Sequence, residues 1–75
     1  MTSYQIQPHQ QRVMDEATEL DKKIEKLSNF IGDSTYRKLE EADQFLLDAQ
    51  LSVMKMYSEI LHQRIRRFQS PPQRK

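Results

Sequence analysis

Cysteine and tryptophan are missing from this 75-residue chain, glycine occurs once, proline three times and histidine twice. Without cysteine there is no disulfide and no thiolate-bound metal, and His9 and His62 alone are too few for an all-protein zinc site. A lone glycine, Gly32, leaves no glycine-rich phosphate loop and no nucleophile elbow, and no HExxH run occurs. Long apolar runs are missing too. The longest is Phe45-Leu46-Leu47, far short of the roughly 18 residues a membrane span needs, and no charged-then-apolar leader opens the chain. These absences predict a non-enzymatic protein with no catalytic residues, no metal and no cofactor, not held in a membrane, and resident in the cytoplasm.

What is present is charge and helical pattern. Below about 70 to 80 residues a single-chain core rarely supplies more than about 3 to 5 kcal/mol, and self-association is the remedy left to a chain with neither disulfide nor metal. The formal charge of +1 conceals a division. All eleven acidic residues and seven of the twelve basic ones fall within residues 1 to 59, whereas 60 to 75 carry Arg64, Arg66, Arg67, Arg74, Lys75 and no acid. Such a cluster attracts phosphates or acidic surfaces. Cations near a helix C-terminus also complement the helix dipole, with or without a ligand.

Pro8 suits the first turn of a helix, and no further breaker appears until Gly32, which reads as a left-handed C-cap. A first helix over 8–31 follows, with Val13, Ala17, Leu20, Ile24, Leu27 and Ile31 on one heptad seam and a supporting Glu19–Lys23 pair. Asp33 and Ser34 can cap a short connecting helix in which Tyr36 and Leu39 fold back over the helix ends. Glu40, Glu41 and Asp43 mark the start of a second long helix, about 41–68, which runs unbroken toward Pro71-Pro72. The predicted fold is all-α: an antiparallel two-helix hairpin over 8–68 with a short connecting helix, oligomerising into a bundle. Residues 1–7 form a flexible N-terminal segment and 69–75 a flexible basic tail.

The second helix carries two apolar seams. Leu47, Leu51, Met54, Ser58, Leu61, Ile65 and Phe68 match the first helix in an antiparallel register that sets Ile31 against Leu47, Leu27 against Leu51, Ile24 against Met54, Leu20 against Ser58, Ala17 against Leu61 and Val13 against Ile65. Small residues then face large ones, as close packing requires. Leu46, Ala49, Val53, Met56 and Ile60, with Tyr57 beside them, form the other seam, which one partner helix cannot also cover. Left in water it would forfeit roughly 1.5 to 3 kcal/mol for each large side chain. It is predicted to bury against another copy of the chain, or else against a different protein.

The hairpin brings the start of the first helix beside the end of the second. Tyr4, His9, Gln11 and Arg12 there meet His62, Arg64 and Arg67. Helix N-terminal N–H groups and guanidinium forks bind phosphate, so these seven residues are the candidate site for an anionic ligand such as a nucleotide, completed by a neighbouring subunit. The same arrangement also reads as a bare basic end. Ser58 reads as a small packing residue or a hydroxyl bonded to a backbone carbonyl, and neither histidine has an evident orienting carboxylate. Nucleic acid is a poor fit as partner, because five cations spread over a helix end and a tail leave a modest footprint.

From Pro8 to Ile31 the chain reads PHQQRVMDEATELDKKIEKLSNFI, followed by Tyr36, Leu39 and then FLLDAQLSVMKMYSEILHQRIRRF at 45–68. This text resembles a family of short proteins encoded by tailed bacteriophages, patterned PHQQRV, ELDxKIxKLxxFI and LLxxQxxxMxxYSxILxxRI, with Tyr36 where phenylalanine is commoner. The resemblance implies a phage accessory protein acting in the host cytoplasm. By analogy with short helical hairpins that oligomerise and sequester cyclic nucleotides, it also implies action against host anti-phage defence. The alternatives are an interaction module that inhibits or scaffolds a host defence or virion protein through the second seam, and an RNA- or DNA-binding accessory.

Overall fold

The computed structural model describes residues 6–69; the expectations for residues 1–5, Tyr4 among them, and for 70–75 lie outside them. Three helices follow in order: α1 (Pro8–Ile31), α2 (Ser34–Arg37) and α3 (Glu41–Gln69). α1 and α3 lie antiparallel and α2 closes the turn, so the fold is the predicted helical hairpin, drawn out to 59 × 24 × 16 Å.

Local chemistry sets the helix ends. Pro8 occupies the first turn of α1, where a missing N–H costs nothing, and the Gln7 N–H donates to Gln10 Oε1 at 2.9 Å, as in the return half of a capping box. Glu41 and Asp43 stand in the first turn of α3 and Arg66 and Arg67 in its last, each with the sign the dipole prefers. One expectation is corrected. Gly32 has φ −83° and ψ −1°, a right-handed conformation. Its N–H still donates to Ser28 O and that of Asp33 to Phe30 O, so the chain leaves α1 and enters α2 without a left-handed residue. An added Cβ would come no closer than 3.7 Å to Asn29 O. The Glu19 partner is also corrected: Glu19 pairs with Lys22 at 3.7 Å, with both side chains largely in water.

The connection is tied down by Tyr36. Its ring meets Phe30 edge-on at 6.3 Å, and its hydroxyl donates to Asp48 Oδ1 at 2.8 Å. Gln44 Nε2 donates to the Tyr36 and Leu39 carbonyls at 3.0 and 3.2 Å, satisfying groups that the end of α2 leaves free. Asp33 stands at the N-cap of α2 without a side-chain cap bond.

The core is thin. Val13, Ala17, Leu20 and Leu61 are buried, with Ile24, Met54, Ile65 and Phe68 packed against them. All of them belong to the predicted α1 seam and the first seam of α3, and Leu61 is fully buried. The second seam of α3 is exposed along its length: Leu46, Val53, Met56 and Ile60 are each more than half accessible, and Phe45 and Tyr57 add aromatic surface.

Candidate functional site

Two hydrogen-bonded clusters clasp the long helices from opposite sides of the core. On one flank Asp21 of α1 receives two bonds from α3: the Ser58 hydroxyl donates to Oδ1 at 2.6 Å, and His62 Nε2 lies 2.8 Å from Oδ2. The Ser58 bond, then that from His62, lowers the Asp21 carboxyl below its ordinary 3.8 against an opposing push from burial, and the His62 charge adds a smaller lowering. On the other flank the Tyr57 hydroxyl donates to Glu16 Oε2. That bond to a carboxylate raises the phenol above its ordinary 10.0, while the positive charge of Arg64 pulls weakly the other way.

These clusters divide the predicted site residues. Arg12 lies one turn N-terminal of Glu16 on α1, and His9 a turn beyond it. Arg64 lies two turns C-terminal of Tyr57 on α3, with Arg67 next along. Because the helices run antiparallel, His9, Arg12 and Arg64 share the Tyr57 flank at the open end of the hairpin, while Arg67, seven residues beyond Ile60, continues the exposed strip of α3. His62 is not with them. It is turned to the opposite flank by Asp21. Gln11 is on the outer side of α1, where its Nε2 donates to Asp15 at 3.0 Å. Phe68 packs on the core, and Tyr57 stands two turns before Arg64 on α3.

Charge at this end is unspent. Among the described residues, none of Arg12, Arg64, Arg66 and Arg67 forms an ion pair, whereas at the loop end Asp48 is engaged by Tyr36. Guanidinium groups at this end can present several N–H donors to phosphate oxygens.

Asp21 and Glu16 were missing from the sequence-based site. Both occupy positions bordering the α1 seam, and that register, applied to polar neighbours as well as apolar ones, was the signal for them. Ser58 is corrected accordingly: its hydroxyl bonds a carboxylate across the helix pair, not a backbone carbonyl. The Ser58–Asp21–His62 grouping is not a nucleophile–base relay, because the carboxylate stands in the middle and receives from both neighbours. Among the described residues no group of three or more His, Asp or Glu side chains converges as a metal site would require, and no helix is long and apolar enough to cross a membrane.

Comparison with curated proteins and with solved structures returns no match. The family model described as Sequestin matches residues 7–67, which spans α1, α2 and nearly all of α3, and the chain belongs to the Sequestin family.

Proposed function

We propose that this chain is a non-enzymatic phage accessory protein that counters host defence by sequestering an anionic ligand, a cyclic nucleotide signal, at the open end of the hairpin. The observation that supports the reading is that Arg12, near the start of α1, and Arg64 and Arg67, near the end of α3, lie toward the open end of the antiparallel hairpin, with none of them in an ion pair among the described residues. Arginine forks recognise phosphate bidentately and an aromatic face accepts a base. The family name itself speaks of sequestering, which favours binding over turnover, and the resemblance to phage-encoded proteins supplies the setting. Host cytoplasm is where such a signal would be met.

A thermal-shift screen against cyclic di- and trinucleotides tests this, since a ligand that binds only the folded state stabilises it by about 2.7 kcal/mol at a hundred times its dissociation constant. A stabilising nucleotide whose effect disappears in Arg64→Ala is the expected result. No shift with any of them sinks the reading. A second reading rests on the exposed seam of α3, through which the chain would inhibit or scaffold a host or virion protein; Arg64→Ala leaves that binding largely intact.

A further inference from the structure

The carboxylates nearest the open end of the hairpin are held by uncharged donors. On α1, Asp15 accepts from Gln11 Nε2 at 3.0 Å and Glu16 accepts from the Tyr57 hydroxyl of α3. On α3, Glu59 accepts from Gln63 Nε2 at 3.1 Å. Arginine stands as close along the chain. Arg12 lies three residues before Asp15 and four before Glu16, the spacings at which opposite charges on a helix meet. Yet none of these three acids forms an ion pair among the described residues.

Glu16 is the acid open to arginines of both helices. Helical side chains lean toward the N-terminus of their own helix, so Glu16 leans toward Arg12 and the open end, while Arg64 leans back along α3 toward Tyr57. The Arg64 charge is felt at the Tyr57 hydroxyl, where it opposes the raising of the phenol by Glu16. No acid follows Glu59 in the chain, and Arg64 stands five residues beyond it, so α3 offers its own arginines no acid at the three- or four-residue spacing. Their carboxylate would have to come from α1.

We infer that the Tyr57 hydroxyl is a positioning group that keeps the Glu16 carboxylate from Arg12 and Arg64; on the reading of this end as an anion site, it is the group that leaves the guanidinium forks open to a ligand. A phenol satisfies the carboxylate without spending a cation, whereas a fork given to Glu16 would no longer be free for phosphate. The contest is an even one. An exposed ion pair gains little, and arginine has more rotamer freedom to lose than a ring set by two side-chain torsions, so the hydroxyl holds Glu16 although charges of opposite sign lie near.

Tyr57→Phe keeps the ring and deletes the donor. Nitrogen-15 relaxation of the arginine Nε–H groups, measured on the full chain without ligand, should show Arg12 or Arg64 becoming ordered in Tyr57→Phe. Adding Glu16→Gln should return that side chain to its parent mobility, with helicity by circular dichroism unchanged throughout. Arginine mobility unaltered by Tyr57→Phe overturns the inference. No nucleotide is needed for that measurement, so it decides the matter even where the anion site itself fails. With a cyclic nucleotide that the parent binds, Tyr57→Phe should raise the dissociation constant about three- to fivefold, the scale of one exposed charge pair, and Tyr57→Phe combined with Glu16→Gln should restore it. A variant that binds as tightly as the parent, or a loss that Glu16→Gln does not restore, overturns the inference. A parent that binds no nucleotide sinks the anion-site reading and leaves the relaxation result to decide the role of Tyr57.

Discussion

Ile60 and Leu61 are neighbours in sequence and nearly identical in volume, yet Leu61 is fully buried against α1 while 53% of Ile60 remains accessible. The two stand for the two apolar strips of α3, which lie about a third of a turn apart. An α-helix is only about 10 to 12 Å across with its side chains, so the single companion α1 shields one strip and cannot reach the second. Apolar pattern alone is therefore no guide to burial in this fold; the supply of partner surface is.

The sharpest way to break that contrast is to damage the covered strip. Leu61→Ala should cost about 2 to 5 kcal/mol, comparable with everything a core of this size supplies, and circular dichroism should record loss of the cooperative helical melt. A smaller effect is expected at the polar clasp beside that strip. Asp21→Asn weakens the bonds from Ser58 and His62 and should cost about 1 kcal/mol at neutral pH, the clasp being partly in water. Its pH dependence has a definite sign. The Asp21 carboxyl is lowered in the folded chain, so its contribution is fully present above the ordinary value of 3.8 and is lost as pH falls through the lowered folded value. The melting temperatures of the parent and Asp21→Asn should differ at pH 6 and converge in acid, once the pH has fallen through the lowered Asp21 value. If the gap stays constant into acid, the clasp is not electrostatic. The smallest effect belongs to the open strip: in chains dilute enough to be single, Ile60→Ser should move the unfolding free energy by no more than about 0.5 kcal/mol, measured by urea titration. A loss as large as that of Leu61→Ala would mean that the strips are not different after all.

Much of this was legible in the residues. Pro8, the acidic start of α3 and two heptad seams are local signals, and they located both long helices to within a residue or so. That Val13, Ala17 and Leu20 would share a core with Leu61 and Ile65 followed from setting one seam against the other. Gly32 was not legible, because a helix can leave through a right-handed residue when the next turn accepts its N–H groups, and nothing local distinguishes that exit from a left-handed cap. Nor was the division of the candidate site. His9, Arg12 and Arg64 share a flank, whereas His62 is drawn to the other one by Asp21, 41 residues earlier. Sequence proximity to the basic end could not separate them, because the sides of a helix are told apart only once its companion is in place.

The periodicity of α3 by itself determined that this protein would be helical, hairpin-shaped and apolar on two sides, since a side chain's angular position on a helix depends only on its number along the chain. Tertiary structure decided which strip was covered and which polar groups clasped across the pair. Those outcomes depend on the rotation of α1 about its own axis relative to α3, a relation between distant segments that no local pattern records.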